Sequence, residues 1–181
     1  KTVQIRPITS IALQNPILLP YQIELLKWMS FYYLAPMVNC LETMLPGIPK
    51  RLIVDSRINP ALQGRSFRLQ QTIVLVPNIN RIPQTLANFP QAKNYVIYHN
   101  ELNLSQKFNT WQKILGGGID YIFGARSAIF APCPNLKGII IYDEHDGAYK
   151  DERSPYYDTL TVAEKIQELT QCKLEIVDEA P

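Results

Sequence analysis

From Tyr21 to Leu34 the chain carries a helical pattern in which polar Glu24, Lys27 and Ser30 recur every third residue among Leu25, Leu26, Trp28, Met29, Phe31 and Tyr32. The pattern predicts a helix with one narrow wet stripe, whose wide apolar surface must be covered by other structure. Pro36, a short apolar stretch reaching Met44 and Leu45, and then Pro46, Gly47 and Pro49 close this unit with strong breakers. Ahead of it, residues 1–20 hold Pro7, Pro16 and Pro20 without a helical period, which predicts an extended lead-in.

A different rhythm starts at Gln71. Thr72–Val76 is a continuous apolar and β-branched run ended by Pro77, the form of a strand buried on both faces of a parallel sheet, and Tyr95–Tyr98 repeats it. Ser105–Leu115 reads as a helix, with Phe108, Trp111, Ile114 and Leu115 at helical spacing and Gly116–Gly118 to end it. Asp120–Phe123 and Gly138–Tyr142 are further strands. Thr161 and Glu164 form a capping box ahead of Ala163, Ile166 and Leu169, and Lys173–Val177 closes the series as a strand. Strands alternating with helices predict an α/β fold with an open parallel sheet. The expected organisation is an N-terminal helical segment over 1–49, a basic linker or first strand over 50–70 (Leu52–Val54 being strand-like), and an α/β lobe over 71–181. Ligands of such sheets bind at the carboxyl ends of strands. That rule singles out Pro77–Arg81, His99–Glu101, Gly124–Ser127 and Asp143–Asp146.

With 181 residues, 46% of them hydrophobic, the chain suits one domain, or one with a small appendage. Cys40, Cys133 and Cys172 are too dispersed for a zinc pair and odd in number, which fits a reducing cytoplasm and predicts no zinc. No run reaches the roughly 18 residues of a membrane span, so no membrane partner is expected. A start at Lys1 instead of Met reads as a fragment or a trimmed chain. The net charge of +2 says little, but residues 1–70 carry eight Lys/Arg against three acids, an excess of five positive charges, while the remainder is acidic. Arg57, Arg65 and Arg68 fall in that basic stretch and could attract phosphate backbones. Equally, they could be ordinary solvated cations.

Asp143-Glu144-His145-Asp146 directly follows an apolar strand, an arrangement that can hold Mg²⁺ on one carboxylate and orient an attacking water with the next. A solvated loop would look the same. The neighbours distinguish the two. Gly124-Ala125-Arg126-Ser127-Ala128-Ile129-Phe130-Ala131-Pro132, a strand, the acidic group and Tyr149-Lys150 together resemble the pattern G-T-R-S-A-x-F-x-P, D-E-E-H-D, S-Y-K of the bacterial primosomal replication-restart helicases, a branch of the superfamily 2 DNA helicases. Thr72–Pro77 with Pro83-Gln84 is similar to that family's L-V-L-V-P-E-I…P-Q, and Tyr98-His99 to Leu102 stands where it has H-S-x-L. Leu26-Lys27-Trp28, Tyr32-Tyr33-Leu34-Ala35-Pro36 and Leu45-Pro46 resemble the stretch that ends its N-terminal DNA-binding domain.

The resemblance implies a RecA-like lobe, with Asp143 and Glu144 as the catalytic carboxylates, Asp143 as the Mg²⁺ ligand, and Arg126 and Ser127 at a DNA phosphate. Arg126 bridging to the acidic loop is the alternative. By the same logic His99 is either a ligand or a packed strand end, and Trp28, Tyr32 and Tyr33 either stack on bases or fill the core. Tyr149, Lys150 and Arg153 face either DNA or solvent.

The departures are equally specific. No G-x-x-x-x-G-K-[ST] loop precedes Thr72: Gly64-Arg65-Ser66 lacks its lysine, and Gly116-Gly117-Gly118 lies elsewhere. The acidic motif is one residue short, and reading Asp143 as its first member keeps that carboxylate next to the strand. Ile176–Pro181 stands in place of a strand followed by G-S-A-T-P, without the hydroxyls. ATP and Mg²⁺ are therefore expected to bind weakly, in the millimolar range as an order of magnitude. The expected function is binding of single-stranded or forked DNA, and of other replication proteins, in replication restart without autonomous ATPase or helicase activity. A motor with a diverged phosphate loop and a structural α/β module are the rival readings.

Overall fold

The computed structural model describes residues 17–47 and 69–178. Within them, helices α1 (Pro20–Tyr32) and α2 (Met37–Met44) precede strand β1 (Gln71–Leu75), helix α3 (Ile82–Ala87), β2 (Tyr95–Tyr98), α4 (Leu104–Leu115), β3 (Tyr121–Gly124), β4 (Leu136–Tyr142), α5 (Thr159–Thr170) and β5 (Lys173–Val177). The five strands form one sheet in the order β2-β3-β1-β4-β5, and every pairing is parallel. This is the open parallel α/β sheet that the strand and helix alternation predicts, and it is consistent with the RecA-like lobe that the resemblance implies. The strand-like Leu52–Val54 lies outside the described residues.

Alternate side chains of each strand go to opposite faces. On one face Ile73, Leu75, Ile122, Ile139 and Ile141 pack in a core with Leu25 and Met29 of α1, Cys40 and Met44 of α2, Trp111 and Ile114 of α4, and Val162 and Ile166 of α5. On the other, Val74, Val76, Phe123 and Tyr142 pack with Ile82 of α3, and Leu86 and Phe89 border them. Each fully buried aliphatic residue contributes about 1.5–3 kcal/mol of hydrophobic stabilisation. Parallel strands of four to seven residues hold because both faces are covered.

The N-terminal helices share the larger core. The Gln22 side chain, fully buried, accepts from the Leu19 amide at 3.0 Å and donates to the Phe130 carbonyl at 2.9 Å, fastening α1 to the turn that follows β3. Ser30 Oγ donates to the Ala35 carbonyl, and the Asp158 amide donates to the Tyr33 hydroxyl, which fixes the α1–α2 corner against the start of α5. α1 is covered on one side only: Phe31 and Tyr32 are 82% and 56% exposed, against the expectation of a single wet stripe. Leu34, just past the end of α1 with a φ of 50°, is 89% exposed as well.

Three local features go beyond or against expectation. Asp158, not Thr161, caps α5: its carboxylate accepts from the Leu160 and Thr161 amides at 2.9 and 3.2 Å, so the helix starts two residues before Thr161. Asp158→Ala should therefore lower stability by about 1 kcal/mol, seen as a lower urea midpoint with an unchanged slope. The six residues of α3, a helix the sequence reading did not include, carry Pro83 in their first turn, where its missing N–H costs nothing. β2 is an edge strand, with Tyr95 and Ile97 about 40% exposed, although its composition matches that of a buried one. Among the described residues no helix is long and apolar enough to cross a membrane.

Candidate functional site

Leu75 of β1 is in register with Gly124 of β3 on one side and Ile141 of β4 on the other. Adjacent strands run about 4.8 Å apart. The segments after β1, β3 and β4 therefore leave the carboxyl edge side by side, with those after β3 and β4 roughly 10 Å apart. The chain winds from β1 out to β2, back to β3 and then across to β4, so the winding reverses at β1. Crevices at such reversals are where open α/β sheets bind ligands.

After β1, Pro77 ends the strand and the Asn78 side chain accepts from the Asn80 amide at 2.9 Å, starting a single 3₁₀ turn over Ile79–Arg81. That turn carries Arg81 toward β4. Its guanidinium donates to Asp143 Oδ2 in an ion pair, with the two side chains 34% and 24% exposed. Asp143 has a φ of 49° and donates its amide to the Val177 carbonyl at 2.9 Å, so its backbone is anchored to β5. The Asp146 carboxylate is spent on a local turn, accepting from the Ala148 amide at 2.8 Å. Glu144 approaches exposed His145 at 3.5 Å through Oε1, while its Oε2 is enclosed without a hydrogen-bond partner. Beside them, buried Tyr149 donates its hydroxyl to the Tyr142 carbonyl at 2.7 Å. Burial holds this phenol well above the usual tyrosine range; Asp143 and Asp146 push it further and Arg81 counteracts them.

Arg126 turns the other way. Its guanidinium donates to the carbonyls of Ala148 and Lys150 and pairs with Asp151 at 3.3 Å, where Asp151 is 10% exposed. Lys150 and Asp158 bridge in antiparallel fashion and the Asp151 amide donates to the Tyr157 carbonyl, closing 150–158 into a loop braced by Arg126. Arg126 does not make the bridge to the acidic loop that sequence left open. Its partner is Asp151, not Asp143 or Glu144. Arg153, at the tip of the loop, is 82% exposed.

Ser127 lines two clefts. One, about 320 Å³, lies between Pro77, His99, Asn100, Ser127 and Ala148, and the buried Nδ1 of His99 has no hydrogen-bond partner there. The other, about 550 Å³, separates Asn39, Glu42 and Thr43 of α2 from Lys107, Ser127, Asp151 and Arg153. Lys107 donates to Asn100 Oδ1, and partial burial draws its ammonium below the ordinary lysine range. The edge thus brings together Arg81, Asp143, Glu144, Arg126 and Ser127, whereas Arg57, Arg65 and Arg68 lie outside the described residues. Trp28, Tyr32 and Tyr33 form one aromatic cluster, Trp28 stacking on Tyr32 at 4.7 Å with Lys165 Nζ 5.8 Å from its ring. Arg81 was the residue sequence reasoning left without a role. Its partner Asp143 lies 62 residues on and meets it only because β1 and β4 are neighbours in the sheet.

A family model described as the 3′ DNA-binding domain of PriA matches residues 1–46, which include α1 and α2. The replication restart protein PriA of Synechocystis sp. is 40% identical over 108 residues, covering 58% of this chain and 13% of the relative. The chain is PriA-like. PriA of Bacillus subtilis is 37% identical over 114 residues, 62% of this chain and 14% of that protein, and PriA of Helicobacter pylori is 27% identical over 180 residues, 77% and 29% respectively. The PriA-like chain thus spans about one seventh of the first two relatives.

Proposed function

We propose that this chain takes part in replication restart by binding single-stranded or forked DNA, alone or with other replication proteins, without ATPase or helicase activity of its own. The observation that carries the reading is the match of residues 1–46 to a 3′ DNA-binding domain, together with the hydrogen bond by which Gln22 of α1 fastens that segment to the carboxyl-edge turn. The 550 Å³ cleft between α2 and the 150–158 loop joins that segment to the lobe and offers Lys107 and Arg153 to a phosphate backbone. Arg126 works through the loop it braces, and Ser127 works directly from the cleft wall. Arg57, Arg65 and Arg68 add sequence-independent attraction.

If about three to five phosphates are neutralised, a log-log plot of affinity against salt should have a slope on the order of −2 to −4 for single strands. Fluorescence anisotropy over several salt concentrations reads it. Arg126→Ala should lower affinity while leaving the slope nearly unchanged, because its guanidinium is engaged by Asp151 and two carbonyls and acts through the loop. No binding at low salt, or binding unchanged when Arg57, Arg65, Arg68 and Arg126 are neutralised together, leaves the structural-module reading standing. ATP hydrolysis by the chain alone would favour the diverged motor.

A further inference from the structure

The chemistry implied by resemblance needs a divalent cation on the first carboxylate after β4, and the residues around Asp143 do not fit it as they stand. A metal at Asp143 Oδ2 would have to displace the Arg81 guanidinium, which already neutralises that oxygen. Hard divalent cations such as Mg²⁺ bind through several oxygens in a defined geometry, and a fixed cation beside one of those oxygens opposes them twice, by occupying the lone pairs and by like-charge repulsion.

We infer that Arg81 is the resident counter-cation of Asp143 and keeps this carboxylate closed to divalent metal. Both partners are held in place by the backbone. The Asn78-capped turn aims Arg81 across β1 toward β4, and the Asp143 amide bonded to Val177 fixes the carboxylate on the same side. Burial of most of each side chain weakens competition by water and salt, so the pair persists where a surface pair would exchange freely. The arginine thus does in one chain, permanently, what a bound cation would do reversibly. The inference rests on the ion pair and is independent of the DNA reading.

The test uses Mn²⁺ alone as probe, with the full chain, reading free Mn²⁺ by electron paramagnetic resonance. The parent and Asp143→Asn should bind Mn²⁺ equally weakly, because Asp143 is closed in the parent. Arg81→Gln should bind about tenfold more tightly or better, and adding Asp143→Asn to it should abolish the gain. Circular dichroism verifies that the variants fold, and Arg81→Met serves if Arg81→Gln does not. A parent that binds Mn²⁺ clearly better than Asp143→Asn would overturn the inference without any Arg81 variant. Folded Arg81 variants that show no gain would overturn it as well.

Discussion

Trp111→Ala is expected to lower the stability of the chain by about 3–5 kcal/mol, close to the whole of what a marginal domain possesses. The indole is 1% exposed and sits in the core that joins α1, α2, α4, α5 and one face of the sheet. Its ring lies 6.4 Å from that of Tyr98 at the end of β2, and its Nε1–H donates to the Ile17 carbonyl at 3.3 Å. Removing it opens a large cavity, deletes an aromatic contact and strips the hydrogen bond between Ile17 and α4. Trp111→Phe separates these effects, since it restores most of the apolar volume and leaves the Ile17 carbonyl without its donor, a loss of about 1–2 kcal/mol. Urea unfolding followed by far-ultraviolet circular dichroism measures both. A loss under about 1 kcal/mol for the alanine variant would mean that the N-terminal helices do not share a core with the lobe.

The strands were legible because each is a short β-branched run between breakers, and Tyr95–Tyr98 and Lys173–Val177 have the bounds that composition predicts. Parallel pairing followed from their alternation with helices, and from it the gathering of Pro77, Gly124 and Asp143 at one edge. What sequence could not supply was sheet order. Arg81 and Asp143 are separated by 62 residues, and they meet only because β1 and β4 are neighbours, which no local pattern states. Arg126 and Asp151 meet for a different reason: the 150–158 loop folds back on itself. The edge position of β2 was likewise invisible, since the same four residues would serve in the middle of a sheet. The start of α5 was misplaced because Thr161 and Glu164 imitate a capping box, although Asp158, three residues earlier, was the stronger acceptor.

Gly124→Ala should be nearly as damaging as the loss of Trp111, by the opposite mechanism. Gly124 ends β3 in register with Tyr98 of β2 and Leu75 of β1, and a Cβ placed there would lie 2.1 Å from the Tyr98 carbonyl oxygen and 2.5 Å from Ala128 Cβ. Neither contact can be relieved by rotating a flexible side chain. The first is backbone of a paired strand, and the second belongs to a fully buried residue in the turn that follows. Overpacking of this kind costs typically 1–3 kcal/mol and more where the backbone must move, so a loss of about 3 kcal/mol is expected. Closeness of approach, not backbone conformation, requires glycine here. The displacement would fall on Ala125, Arg126 and Ser127 on one side and on His99 and Asn100 on the other, the residues that border the 320 Å³ cleft. DNA affinity should therefore drop further in folded Gly124→Ala than in Arg126→Ala, even though no charge is removed. Ala128→Gly combined with Gly124→Ala should recover part of the stability by removing the 2.5 Å contact, and a double-mutant cycle from urea unfolding isolates that coupling. If Gly124→Ala unfolds within about 0.5 kcal/mol of the parent, the close approach of β2 to the end of β3 is wrong, and with it the shape assigned to this part of the carboxyl edge.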